Sequence, residues 1–109
     1  DGVNEGFYHG MMLGLCAVLG NRYRVHSNRE SGLGRFDIQL MPMVNGIPGF
    51  LFEFKHTKDP HTDLTSLADK ALQQIDEKKY DTELRDAGVD SIIKIGIAFR
   101  GKNVVVKRA

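Results

Sequence analysis

A chain of 109 residues, 41% hydrophobic and 27% charged, has room for one folded core and none for a second, and its composition excludes a disordered chain. No apolar run approaches the roughly 20 residues that span a bilayer, and the 10–19 segment, interrupted by Gly14 and without a basic lead-in, does not read as a signal peptide. The net charge of +1 hides a segregation. Residues 20–58 are basic, residues 59–90 set nine acids against Lys70, Lys78, Lys79 and Arg85, and residues 91–109 carry five bases and no acid. A basic surface beside an acidic one suits a polyanionic partner.

Phe7, Met11, Leu15 and Val18 recur at helical spacing and Gly20-Asn21 ends the segment, which predicts a first helix packed on a sheet. Cys16, the single cysteine, excludes an intrachain disulfide and a cysteine zinc cage. Its apolar neighbours predict a buried thiol in a reducing, cytoplasmic compartment. Residues 23–29 alternate as a strand, and a turn bearing Gly32 and Gly34 follows. Phe36, Ile38 and Leu40 then alternate with Arg35, Asp37 and Gln39, the pattern of a half-buried strand. Asn45-Gly46 and Pro48-Gly49 mark a hairpin into a third strand over 50–55.

After a loop containing Asp59-Pro60, Leu64, Leu67, Ala68, Ala71, Leu72 and Ile75 trace one face of an amphipathic helix, expected over 63–79. Gly88 closes that region. Residues 91–99 read as an apolar strand, and Gly101-Lys102-Asn103 turns into a last strand through Val104, Val105 and Val106. The order αβββαββ predicts an α/β class with a central mixed sheet flanked by helices. A sequence opening on Asp1 predicts that this single domain, 1–109, is a piece of a longer protein.

The two-residue period of the third strand places Leu51, Glu53 and Lys55 on one face and Phe50, Phe52 and Phe54 on the other. Asp37 lies on the face opposite Phe36 and Ile38, so a hairpin pairing would let Asp37, Glu53 and Lys55 converge. Two carboxylates at that separation repel unless a cation neutralises them, and such oxygen ligands suit Mg²⁺ or Mn²⁺. The plain alternative is a cross-strand surface pair of acid and lysine.

The run from Glu30 through Gly34-Arg35-Phe36-Asp37, a spacer of fifteen residues and then Glu53-Phe54-Lys55 resembles the D...(D/E)xK signature of the PD-(D/E)XK nuclease superfamily, in its RecB-like form. Phe36 stands where the family's name-giving proline would be, but RecB-like members also carry Gly-Arg-x-Asp there. The likeness extends over nearly the whole chain and is similar to the nuclease-like domain found downstream of AAA-ATPase-like modules in bacteria.

The resemblance implies an αβββαβ restriction-endonuclease-like core and metal-dependent hydrolysis of phosphodiester bonds, with DNA favoured over RNA as the nucleic-acid partner. Asp37 and Glu53 would ligate one or two Mg²⁺ or Mn²⁺ ions with the backbone carbonyl of Phe54, and Glu30, or less favourably Glu5, would add an acid. Lys55 would orient the attacking water or stabilise charge on the phosphate. Arg35 would contact phosphate through its forked donors.

At about 100° per residue, Gln74 and Lys78 share a flank of the helix stripe while Gln73 points away. By resemblance to RecB-like sites, Gln74 would be catalytic, Lys78 would contact phosphate, and Tyr80 lies six residues on, further than the family spacing. His9 is expected to pack within the fold, and His56 and His61 to serve a loop rather than a zinc site. The rival function is a catalytically silent nucleic-acid-binding or protein-docking module of a larger protein. Other domains of the parent are expected partners and a membrane is not, and a secreted parent would place the domain in a host cell.

Overall fold

The computed structural model describes residues 5–30 and 35–109. In chain order they form α1 (Glu5–Leu19), β1 (Tyr23–Glu30), β2 (Arg35–Pro42), β3 (Gly49–His56), α2 (Leu64–Glu77), α3 (Thr82–Asp86), β4 (Ile92–Arg100) and β5 (Asn103–Arg108). The glycine-bearing turn expected over 31–34 lies outside the described residues. The strands make one sheet in sequential order. The β3–β4 pair is parallel and the other three pairs are antiparallel. The parallel pair needs a crossover long enough to hold a helix, and α2 and α3 supply it. The fold is the mixed α/β arrangement of a restriction-endonuclease-like core.

Alternation along the strands divides the sheet into two faces. Phe36, Ile38, Leu40 and Phe54 are buried on one, covered by Tyr8, Met11, Met12, Leu15 and Leu19 of α1. This stripe corrects two expectations. Val18 is 75% exposed, and Cys16 is exposed rather than buried. Both lie about 80° from the centre of the Tyr8–Leu15 stripe. Between Gly6 and Gly20 the helix carries no Asp, Glu, Lys or Arg, so hydrophobicity alone does not select its buried side. Phe7 is likewise mostly exposed, though its ring lies 5.6 Å from that of Phe99. Among the described residues no helix is long and apolar enough to cross a membrane.

The opposite face holds Met41, Leu51, Ile75 and Leu84, continued by Leu64, Ala68 and Ala98. Asp63 caps α2, accepting from the Thr65 backbone N–H at 3.2 Å and the Ser66 hydroxyl at 2.8 Å. The buried side of α2 is narrow, with Ala68 and Ala71 fully buried, and the helix lies almost on β4. A Cβ at Gly96 would stand 2.5 Å from the Ala68 carbonyl oxygen and 2.9 Å from the Leu72 nitrogen. Glycine is required there by the close approach.

Helix α2 ends without a glycine. Lys79 takes the left-handed conformation at φ 53°, its N–H donates to Asp76 O, and the Tyr80 N–H donates to Ile75 O. These two bonds form a Schellman turn, with Tyr80 packing back on the Ile75 cluster. The helix expected to run to 79 therefore stops at Glu77. Gly88 closes the short α3, which periodicity did not reveal because five residues are too few to express it.

Candidate active site

The antiparallel register of β2 and β3 sets Asp37 directly opposite Glu53, and Arg35 opposite Lys55. The even-numbered residues of these strands face α1, so Asp37, Glu53 and Lys55 all belong to the face covered by α2 and α3. Glu53 is only 2% exposed, on a strand flanked by β2 and β4. Such burial sets it apart from an exposed acid–lysine ladder, because a carboxylate out of water requires compensating positive charge. Lys55, two residues along the same face, is half-buried.

Helix α2 closes the site from above. Gln73 is exposed, whereas Gln74 is half-buried with its Oε1 inside the protein. Gln74 Oε1 and Glu53 Oε1 are buried oxygens that receive no hydrogen bond among the described residues. Acceptor atoms of this kind fit a hard cation and its water shell.

Asp37 is flanked on two sides. The Asn28 backbone N–H donates to its Oδ1 at 3.2 Å, and the Tyr80 side chain lines the same cavity beside it. Burial pushes its carboxyl above the usual range, opposed in turn by the Asn28 N–H, the Tyr80 hydroxyl and the positive charges of Lys78 and His26. Burial likewise raises the Tyr80 phenol, the Lys78 ammonium opposes that rise, and the charges of Glu53 and Asp37 add to it. The Lys78 Nζ lies 5.7 Å from the centre of the Tyr80 ring. Tyr80 thus stands between the carboxylate pair and Lys78. The Schellman turn puts it there, and with no glycine to mark that turn the sequence spacing alone did not reveal it.

The remaining candidates are dispersed. The Phe54 backbone runs between Glu53 and Lys55 in β3, with its side chain buried toward α1. Glu30 and Arg35 are register partners across β1 and β2; their side chains, and that of Glu5, lie outside the described residues. His9 is exposed on α1, beyond the far face of the sheet, with its ring 5.9 Å from Tyr8. His56 ends β3 with its ring 4.9 Å from Phe99, and burial, then the charge of Lys58, lowers its pKa. His61 is exposed in the following loop, its N–H donating to Asp59 Oδ1 at 2.9 Å.

Sequence reasoning missed the neighbours of Asp37 on its β1 side. His26 and Asn28 lie opposite Gln39 and Asp37 in register. Together with Tyr80 and Glu83 they wall a cavity of about 120 Å³ that opens beside Asp37. The alternation of β1 is weak, and only the β1–β2 register identifies which of its residues meet Asp37.

No group of three or more His, Cys, Asp or Glu side chains placed to hold a metal occurs among the described residues. The paired Asp37 and Glu53 could hold such an ion only with the other positions filled by backbone carbonyl, water and substrate oxygens. Mg²⁺ commonly binds in that way, through one or two carboxylates and substrate phosphates.

No curated protein and no solved structure matches the chain. A family model described as the PD-(D/E)XK nuclease superfamily matches residues 3–109. That match takes in every element of the fold and the Asp37, Glu53 and Lys55 face, and the chain belongs to the PD-(D/E)XK nuclease superfamily.

Proposed function

We propose that this chain hydrolyses phosphodiester bonds of nucleic acid, DNA by preference, with Mg²⁺ or Mn²⁺ held by Asp37 and Glu53. The observation that carries the reading is the register pairing of Asp37 with the buried Glu53, Lys55 following on the same face. A cation bound there supplies Lewis-acid polarisation of the phosphate and lowers the pKa of a water. Glu53 presents its carboxylate from a rigid central strand, and the backbone carbonyl of Phe54 and the side chain of Glu30 are the further ligands in this reading.

Lys55 places a positive charge two residues from Glu53, where it orients the attacking water and offsets negative charge growing on the phosphoryl oxygens. Gln74 offers Oε1 as an acceptor for a water proton. Tyr80, beside Asp37, favours the ionised carboxylate against the effect of burial. Lys78, exposed at the end of α2, and Arg35 serve the incoming phosphodiester backbone as charge partners.

The reading is tested with supercoiled plasmid and labelled single strands, incubated with Mg²⁺, Mn²⁺ or EDTA, beside the Glu53→Ala variant. Metal-dependent cutting lost in the variant supports it. Folded wild-type protein that binds DNA in a salt-sensitive manner and never cuts it would replace this reading with that of a binding module.

A further inference from the structure

The cavity of about 120 Å³ beside Asp37 is walled by His26, Asn28, Asp37, Gln39, Tyr80 and Glu83. It adjoins the carboxylate pair, yet its chemistry differs from that of a phosphate site. Among the described residues no Lys or Arg lines it, and two of its walls, Asp37 and Glu83, are carboxylates, which disfavours an anion. A second cation site is equally unsupported, since no three ligating acids or imidazoles come together among the described residues. What remains is a partly apolar cavity edged by two amides, a phenol, an imidazole and two carboxylates, which suits a neutral planar group bearing hydrogen-bond donors.

A nucleobase next to the scissile phosphate meets that description. At about 120 Å³ the cavity has room for a single base and not for a base pair, and we propose that it receives one unpaired base of a single-stranded or locally opened substrate. We further propose that Glu83 selects bases carrying an exocyclic amino group. Gln39 Nε2 donates to Glu83 Oε1 at 3.3 Å, which fixes the acid in the cavity wall and leaves its other oxygen as an acceptor. An ionised carboxylate only accepts, so it pairs with the amino group of cytosine and offers nothing to the O4 of thymine. The apolar side of the cavity is the wall formed with Leu51. This inference rests on the nuclease reading for the placement of the scissile phosphate, but base preference is a property of the cavity itself.

The test measures binding and cleavage separately, with labelled oligo(dC) and oligo(dT) of equal length. Fluorescence anisotropy is read in Ca²⁺ and cleavage in Mg²⁺, for wild type and Glu83→Gln. Wild type is expected to bind and cut oligo(dC) at least about fivefold better than oligo(dT), the lower end of the discrimination that a specific base contact gives. Glu83→Gln, whose amide both donates and accepts, is expected to bring that ratio close to one. Equal binding of the two oligonucleotides by wild type, or a preference that survives Glu83→Gln, overturns the inference. A preference in binding with no cleavage of either strand leaves the inference standing and overturns the nuclease reading instead.

Discussion

Tyr80 stands beside Asp37 in the wall of one cavity, although 43 positions separate the two residues in the sequence and they come from elements on different layers. The Schellman turn at Lys79 makes the link by folding Tyr80 back under α2. Tyr80→Phe removes the hydroxyl while keeping the ring packed against the Ile75 cluster. Metal-dependent cleavage is expected to fall about tenfold or more, the scale of a hydrogen bond to a charged group, with little change in Tm. Initial rates and a thermal melt on the same sample check it; an unchanged rate would remove Tyr80 from the site.

Asp37 illustrates a conflict between function and stability. Burial disfavours its ionised form, so the metal-free fold carries a carboxylate that it would hold more easily as a neutral group. Asp37→Asn is expected to raise the Tm of the metal-free protein at neutral pH and to abolish the further rise that Mn²⁺ gives the wild type. Thermal melts with and without Mn²⁺ decide this. A lower metal-free Tm, or an intact Mn²⁺ shift, would contradict it.

Much of this arrangement was legible in the sequence. The alternation of Phe36-Asp37-Ile38 and of Phe52-Glu53-Phe54 assigns each carboxylate to the face away from the aromatics, because a strand's period is two and one face must be apolar. Helix α2 was equally legible from its apolar spacing. The side of α1 was not, since a helix without charge gives burial no direction, and Cys16 and Val18 were misassigned for that reason. The resemblance pointed to Tyr80 at an unusual spacing, but its place beside Asp37, and that of Glu83, was not legible, because a left-handed lysine ends α2 where a glycine would have announced the turn.

Gly96 governs how closely α2 approaches the sheet. Gly96→Ala places a Cβ against the backbone of Ala68 and Leu72, and backbone yields less than a side chain does. The variant is expected to lose about 1–3 kcal/mol by overpacking. Cleavage is also expected to fall, because α2 carries Gln74 and leads into Tyr80. Denaturant unfolding and cleavage rates test the two parts; full stability would contradict the packing described.

Asp63 and Asp81, outside the site, contribute to the acid limb of stability. Asp63 is held below the usual carboxylate range by the Ser66 hydroxyl and then the Thr65 N–H. Asp81 is held low chiefly by its hydrogen bond from Arg85, with Lys94 adding a smaller effect. A folded-state pKa below the unfolded one means stabilisation that is present above the unfolded pKa and lost as pH falls through the folded one. Tm is therefore expected to drop as pH falls through the carboxylate range, while Asp37, shifted upward, contributes with opposite sign. Asp63→Asn keeps a cap that does not titrate and is expected to flatten this limb; an acid limb as steep as that of the wild type would contradict the assignment.

In the proposed function Asp37 and Glu53 together hold the ion on which phosphodiester cleavage depends. Calorimetric titration of Mn²⁺ into wild type, Asp37→Asn and Glu53→Gln, with plasmid cleavage measured on the same samples, tests it most directly. Wild type is expected to bind Mn²⁺ and cut, and each variant to stay folded and lose both properties together. Undiminished Mn²⁺ binding or cutting in either folded variant would contradict it.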